Sequence, residues 1–431
     1  MRGAVGRGQG TLLRPQLGFF GAVSAGLAAI LGAGIFAVIA PAAGIAGPAL
    51  LVALCLAAFV ALCNALSSAQ LAAVLPRTGG TYEFGRRMLG PWWGYSAGWM
   101  FLVANTVGPG AIALAFGEYL SGVWAGVPTR VIAVAAALAM TGLNALGIRR
   151  SVRVTEIVVI FSVLTLLAVV VLAAPSVRAS HFAPFAPEGI PGILQATALL
   201  FFAYTGYSRI ATLVEEVKDP KRTIPRATVV ALGSATVIYL LVATAALGVL
   251  GAARLSQSGS PLEATMVAAG SAVGVGLVVA GALSTTFNEG LSDLLGVSRV
   301  AFAMGRGEDL PGPLAHLGPD QNPWVAVLSV GIVATLVSAF APFTLAIAVS
   351  SFGTLLYYSV TNLSALRLRR EQRMFPRILA VAGLVGCVGL AFSLAPIEVG
   401  IGLSLLLIGI AFRFAWLRHR RPQVTRTGPI A

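Results

Sequence analysis

The chain has 431 residues, of which 57% are hydrophobic and 10% are charged, and its formal net charge is +14. A soluble domain has about a quarter of its residues charged, so this composition excludes a water-soluble fold and indicates a polytopic helical membrane protein. The apolar runs are continuous rather than alternating, which argues against a membrane β-barrel.

Twelve apolar runs predict twelve membrane-spanning helices, because a transmembrane helix needs about 20 apolar residues. The predicted spans are 18–40, 48–74, 92–116, 128–147, 154–174, 191–213, 228–251, 264–288, 325–342, 344–364, 377–395 and 397–416. The short tails before and after them, 1–17 and 417–431, are basic.

Lysine and arginine are distributed unevenly between the two sides of the predicted bundle. The two tails and the even-to-odd loops, with the adjoining ends of the spans, hold 25 of the 29. Outer loops hold Arg130, Arg178 and Arg254, and Arg209 lies within a span. Basic residues accumulate on the cytoplasmic side, so both termini are predicted to be cytoplasmic in a multi-pass protein of the cytoplasmic membrane. The positive charge therefore indicates topology and contact with anionic lipid rather than nucleic acid binding.

Span one contains the sequence GAGIF, Gly32 to Phe36, in its middle. Glycine costs a helix about 1 kcal/mol relative to alanine, so two glycines here require an explanation. One explanation is a patch of small residues for close helix packing. The other is a break in the helix that exposes backbone amides, which suit a carboxylate, and carbonyls, which suit an ammonium or a metal cation.

A second interruption is predicted in span six, where Gly206 lies in a polar cluster from Tyr204 to Arg209. Spans one and six are five apart, so they cross the membrane in opposite directions. Interrupted helices at matching positions of two antiparallel halves are typical of inverted-repeat transporters with a central binding site. The pair of breaks therefore favours a zwitterionic ligand over packing alone.

Ionisable residues at membrane depth are costly and are functional candidates by default. Glu289 and Asp293, at the inner end of span eight, are four residues apart and share a helix face. Two carboxylates this close in a low dielectric do not both ionise readily, so one is expected to keep a proton. Proton coupling, with Glu289 the better candidate, is one interpretation, and structural ion pairing with Arg209, Arg299 or a cytoplasmic arginine is the other. A less favoured alternative is a sodium site with ligands from Ser284, Thr285 or Ser292.

Two further polar residues within spans have open roles. Arg209 follows the break in span six. It either contacts a substrate carboxylate or acts as a gate, or it has a structural role, in which it pairs with a carboxylate on another span or caps the broken helix. Asn105 in span three either binds substrate or bonds a neighbouring helix. Metal and cofactor sites are not expected, because the cysteines lack metal-ligand spacing and no predicted span contains a histidine. An intramembrane enzyme is disfavoured for the same reason.

The sequence resembles the amino acid–polyamine–organocation superfamily of permeases in four segments. They are GAGIF (32–36), LPRTGGTYEFGRRMLGP (75–91), FFAYTGYSRIATLVEEVKDPKRTIPRA (201–227) and LLGVSRVAFAMGRGEDLP (294–311). The resemblance implies an all-α polytopic fold with a five-plus-five inverted-repeat (LeuT-like) core and discontinuous helices in spans one and six. The first repeat would cover 18–174, the second 191–364, and spans 11 and 12 would follow at 376–416.

The resemblance also implies a binding mode. The substrate carboxylate would meet the amides of Ala33, Gly34 and Ile35. The ammonium would meet carbonyls near Ile30 and carbonyls on span six, which match Phe202, Ala203 and Thr205. An aromatic side chain of span six, Phe202 or Tyr204, would close the site. The candidate substrate residues are Ile30, Gly32, Ala33, Gly34, Ile35, Asn105, Phe202, Ala203, Tyr204, Thr205, Gly206, Ser208 and Arg209.

Two departures from the family leave the coupling ion open. Many relatives carry a glutamate where this chain has Ser208, and some proton-coupled relatives carry a lysine near the position of Ser162. The predicted function is a secondary-active amino acid transporter that works by alternating access, coupled to protons rather than sodium. The alternatives are an exchanger of amino acids and amines, or a membrane sensor that does not transport. The expected partners are an amino acid as the small-molecule substrate, a proton and membrane lipids.

Overall fold

The computed structural model describes residues 18–75, 79–124, 126–147, 152–207, 217, 219–318 and 322–419. The secondary-structure elements of these residues are all helical. The α-helices are α1 (Phe19–Ile30), α2 (Ile39–Ala46), α3 (Leu50–Val74), α4 (Gly80–Met88), α5 (Pro91–Val123), α6 (Thr129–Ala145), α7 (Val152–Ala173), α8 (Gly189–Leu200), α9 (Pro220–Ser256), α10 (Pro261–Ala268), α11 (Ala272–Arg306), α12 (Trp324–Phe340), α13 (Phe343–Leu366), α14 (Arg377–Ala391) and α15 (Pro396–His419).

Shorter helical segments connect several of these helices. A π-helical segment covers Gly34–Val38, and the 3₁₀ segments are Gly47–Ala49, Ala174–Ser176, Ala179–Phe182, Phe201–Tyr207, Gly312–Ala315 and Arg370–Gln372.

Eight helical stretches among the described residues are long and apolar enough to cross a membrane by length and composition. The first of them, Phe19–Val74, contains both of the first two predicted spans. Its chain turns between α2 and α3 at Gly47, whose φ of 60° is readily adopted by glycine. Three shorter apolar helices, α6, α12 and α14, lie where three further spans are predicted.

The predicted boundary of span eight is wrong at its outer end. Residues 264–268 belong to the separate helix α10, and α11 begins at Ala272. Gly270 follows α10 with a φ of 71°, and the Ser271 hydroxyl accepts a hydrogen bond from the Gly274 amide at 3.1 Å. A glycine that ends one helix and a serine that caps the next are ordinary boundary signals.

The core of the bundle lies around the two interrupted stretches. α1 packs against α9, α2 packs against α8, and the π-helical segment touches the 3₁₀ segment Phe201–Tyr207. Large apolar side chains such as Ile157, Ile160, Ile378 and Leu407 are exposed on α7, α14 and α15. Such exposed apolar surface is expected of helices that face acyl chains, and it would be a liability in water.

Candidate substrate site

The first interruption lies where the GAGIF sequence predicts it. α1 ends at Ile30, and Leu31 has an extended backbone with φ −74° and ψ 99°. The helix resumes as the π-helical segment Gly34–Val38. π turns within helices often occur at functional sites, and a break of this kind frees amides and carbonyls for other partners. The residues from Ile30 to Phe36 are buried, so these groups open onto the protein interior.

The second interruption begins earlier than the sequence cluster suggests. α8 ends at Leu200, and the chain continues as the tighter 3₁₀ helix Phe201–Tyr207. This change of winding places the carbonyls of Phe202 and Ala203 outside the regular α-helical ladder. The predicted site residues Ser208 and Arg209 lie outside the described residues.

Glycines allow the two interruptions to touch. A Cβ built on Gly34 would lie 2.5 Å from the Cβ of Ala203, and a Cβ on Gly206 would collide with the carbonyl oxygen of Ala29. Both distances leave no space for a side chain, so the glycines permit close approach of two backbones. Close packing and an open helix break are therefore both features of this sequence.

The Tyr239 hydroxyl on α9 joins the two breaks. It lies 2.7 Å from the Ile30 carbonyl oxygen and 3.1 Å from the Ala203 carbonyl oxygen. The two carbonyls predicted to bind an ammonium therefore converge on one point. A hydroxyl has a single proton to donate, so this pair of oxygens keeps accepting capacity. Sequence reasoning missed Tyr239, for which the available signal was a single tyrosine within the apolar run VIYLLVATAA.

Glu289 reaches the first break from α11. Its Oε2 accepts a hydrogen bond from the Ala33 amide at 2.5 Å. The carboxylate occupies the space in which a Cβ of Gly32 would lie. A hydrogen bond from an amide to a carboxylate is charge-assisted, and the start of a helix adds favourable partial charge. The backbone predicted to hold a substrate carboxylate thus already binds a carboxylate of the protein.

The two aromatic candidates of the second break face different helices. A Cβ built on Gly108 of α5 would lie 3.6 Å from the Phe202 ring and 3.3 Å from the Ser350 hydroxyl of α13. Phe202 therefore points toward α5 and α13. Tyr204 instead packs against Tyr239, with 5.4 Å between ring centroids. Phe202 is consequently the better placed of the two to close over a ligand between α5 and the breaks.

Comparison with known proteins decides the family. The sequence description of the amino acid permease family matches residues 17–412. The chain belongs to the amino acid permease family. An uncharacterized transporter of Mycobacterium tuberculosis is 44% identical over 420 residues, which cover 96% of this chain and 94% of the relative. The branched-chain amino acid permease of Bacillus subtilis is 29% identical and covers 94% of both chains. The methylthioribose transporter of Bacillus subtilis is 25% identical, with 80% of this chain and 79% of the relative covered.

These matches confirm the resemblance found in the sequence. The relatives are transporters and permeases rather than enzymes, and together with the apolar helices they identify a multi-pass membrane protein that belongs among amino acid transporters.

Other predicted polar groups of the permease bond within their own segments. Asn105 donates to the Phe101 carbonyl of the same helix at 2.9 Å, and Thr205 donates to the Phe202 carbonyl at 2.9 Å. The hydroxyls of Ser284 and Ser292, considered for sodium, donate to carbonyls one turn earlier in α11, as serines in helices commonly do. The buried Thr285 hydroxyl has no hydrogen-bond partner among the described residues.

Proposed function

We propose that this permease is a secondary-active transporter that moves an amino acid across the cytoplasmic membrane by alternating access around its two interrupted helices. The observation that carries the proposal is the hydrogen bond from the Ala33 amide to a carboxylate at 2.5 Å. It supports a backbone site of the chemistry that an α-carboxylate requires. The nearby carbonyls of Ile30 and Ala203, which meet at the Tyr239 hydroxyl, have the complementary chemistry for an α-ammonium.

The proposed architecture has twelve spans with both tails, 1–17 and 417–431, in the cytoplasm. The first inverted repeat would cover 18–174, the second 191–364, and two appended spans would lie at 376–416. The uneven distribution of lysine and arginine supports the orientation. The contact between two interrupted helices five spans apart supports the inverted repeat.

In the proposed binding mode the substrate carboxylate meets the amides of Ala33, Gly34 and Ile35. Its side chain extends toward α5 and α13, where Phe202 lies close to Gly108. Asn105, one turn before Gly108, lines the same side of α5. Phe202 belongs to the buried hydrophobic core. This position and the branched-chain permease of Bacillus subtilis among the relatives favour a neutral aliphatic amino acid.

Proton coupling is proposed through Glu289, with Asp293 as the second candidate. The support for Glu289 is its position on α11 and its reach to the first break. Sodium is the alternative, and the observation in its favour is the buried Thr285 hydroxyl on the same helix, which has no hydrogen-bond partner in the described part of the chain. Exchange of amino acids with amines is the remaining mode, and counterflow in proteoliposomes loaded with an amine distinguishes it from symport.

The first test is the melting temperature of the purified protein with α-amino acids and with their decarboxylated amines, at pH 5.5 and 7.5, with and without sodium. A ligand that binds the folded state raises the melting temperature by mass action. Stabilisation by α-amino acids and not by the amines is expected. Stabilisation by amines alone, or by methylthioribose alone, contradicts carboxylate capture at the first break.

The Gly34→Leu variant tests the site itself. The added side chain has no space beside Ala203, so the breaks must separate and the ligand-induced rise in melting temperature is expected to disappear. Gly233→Leu on α9 is the matched control, because no described atom lies within 4 Å of a Cβ built at Gly233. Normal ligand binding by folded Gly34→Leu protein would contradict the assignment.

A further inference from the structure

Two carboxylates compete for one backbone amide of the first break, that of Ala33. Ala33 has a single amide hydrogen, and Glu289 accepts it at 2.5 Å. The proposed binding mode requires the same amide for the substrate carboxylate. An N–H cannot serve two carboxylates at full strength, and two negative charges at one amide repel each other strongly in a buried site.

On the basis of the proposed function, we propose that Glu289 is a tethered competitor of the substrate carboxylate. When ionised it holds the Ala33 amide, and when protonated it releases the amide to the substrate. Proton binding and substrate binding then become linked at a single hydrogen bond. The inference adds a specific coupling rule to the proposed transport.

Gly32 supplies an independent observation. The Glu289 carboxylate lies where a Cβ at position 32 would be, so any larger residue would displace it from the break. The absence of a side chain at Gly32 therefore leaves the space that the Glu289 carboxylate needs to reach the Ala33 amide. The second glycine of GAGIF, Gly34, has a different neighbour, since it packs on Ala203.

Few titratable groups surround Glu289 among the described residues. Asp293 lies one turn along α11, and the Tyr239 hydroxyl faces Glu289 from α9. α1, the π-helical segment and α12 contain no ionisable side chain. The ionisable residues on the other helices packed against α11, namely α5, α6, α7 and α10, lie near helix ends: Tyr95, Glu118, Tyr119, Arg130, Arg153, Glu156 and Glu263. Arg299 and Arg306 lie further along α11, and Arg209 is outside the described residues.

The proton balance of the proposed cycle is simple. From the outer solution Glu289 takes one proton, which forms an O–H bond on the carboxylate and weakens its hold on the Ala33 amide. The substrate carboxylate then accepts the Ala33 hydrogen bond. After the site opens inward, Glu289 loses its proton to the cytoplasm. The ionised carboxylate then accepts the Ala33 hydrogen bond again and displaces the substrate. One proton therefore accompanies each zwitterion, and transport carries one net positive charge.

The decisive measurement uses the wild-type protein. Affinity for a stabilising amino acid is measured by calorimetry from pH 5.5 to 9.5, and proton uptake on binding is followed with an indicator dye in weak buffer. Above the pH at which Glu289 ionises, the competent fraction falls, so the apparent Kd is expected to rise about tenfold per pH unit. About one proton per bound substrate is expected in the same range.

Variants assign the effect to the residue. Glu289→Gln is expected to bind substrate at all of these pH values without the pH slope. Glu398→Gln is the matched control. Glu398 is a buried carboxylate of α15 that also accepts a hydrogen bond from a backbone amide, that of Ala395 at 2.9 Å. It is expected to keep the wild-type slope. If Glu289→Gln fails to fold, the proton uptake measured on the wild-type protein alone decides whether substrate and proton binding are linked.

The outcomes separate this inference from the proposed function. Absence of amino acid binding at every pH contradicts both. Substrate binding by the wild-type protein without proton uptake overturns the competition and leaves the transporter proposal standing. A retained pH slope in Glu289→Gln, with its loss in Asp293→Asn, also overturns the role given to Glu289.

Discussion

Asp309 and Arg413 form a buried ion pair, and its removal is expected to destabilise the protein strongly. Asp309 follows α11 and Arg413 lies on α15, with 3.0 Å between the charged atoms and side-chain exposures of 9% and 7%. At an effective dielectric constant of about 20, unit charges at 3.0 Å attract by about 5 to 6 kcal/mol. Removal of one partner from a buried pair costs about 3–5 kcal/mol, because the other charge stays desolvated.

The surroundings of the pair predict an order among the variants. Arg413→Gln leaves Asp309 with the Tyr82 hydroxyl at 2.6 Å and the Arg86 guanidinium at 3.8 Å, so a loss of about 2 kcal/mol is expected. Asp309→Asn leaves Arg413 over the rings of Tyr95 and Trp92 without a carboxylate. A loss of about 3–4 kcal/mol is expected for this variant.

Arg86→Gln is the internal control for charge removal at the same cluster. The Arg86 side chain is 43% exposed, and exposed pairs contribute about 0–1 kcal/mol. The assay is denaturant unfolding in detergent followed by tryptophan fluorescence, with the free energies compared across the three variants. The reasoning is refuted if the free energy of unfolding of Asp309→Asn lies within about 1 kcal/mol of the wild-type value. It is also refuted if Arg86→Gln lowers the free energy of unfolding as much as Asp309→Asn does.

Two further predictions concern tyrosines. Burial raises the pKa of Tyr82 to about 12, and the hydrogen bond to Asp309 acts in the same direction. An unfolded tyrosine ionises near pH 10. The free energy of unfolding is therefore expected to fall as the pH rises from about 10 to 12. Tyr82→Phe should lack this part of the pH dependence, and an unchanged profile would contradict the assignment. Tyr239→Phe removes the donor to the carbonyls of Ile30 and Ala203, so the ligand-free protein should lose about 1–3 kcal/mol. A bound amino acid should recover part of that loss, and a ligand-free melting temperature equal to that of wild type would count against the bridge.

Local sequence was sufficient for the helical character, and it predicted the first break once GAGIF was compared with the interruption in span six. A helix with two glycines around one alanine loses stability at that point whatever surrounds it, but close helix packing explained GAGIF equally well until the polar cluster of span six was considered. The start of α11 was missed, although Gly270 and Ser271 carried ordinary end and cap signals. There the continuous apolar run outweighed two local boundary residues.

The sequence also identified Glu289 as unusual, because a carboxylate in an apolar run is expensive wherever it lies. It did not identify the partner. The hydrogen bond between Ala33 and Glu289 joins residues 256 positions apart, and no periodicity reports a contact at that separation. The contact of Gly206 with Ala29 and the bridge made by Tyr239 belong to the same class.

The sequence by itself determined an apolar helical chain of the permease type, with two interrupted spans and a costly carboxylate within an apolar stretch. These are properties of single segments, fixed by hydropathy, helix propensity and the cost of buried charge. Only the tertiary structure decided which group meets which. The packing of α11 and α9 on the first break brings the Glu289 carboxylate to the Ala33 amide and the Tyr239 hydroxyl to the freed carbonyls. Buried backbone groups without a partner in their own helix require partners from elsewhere in the fold.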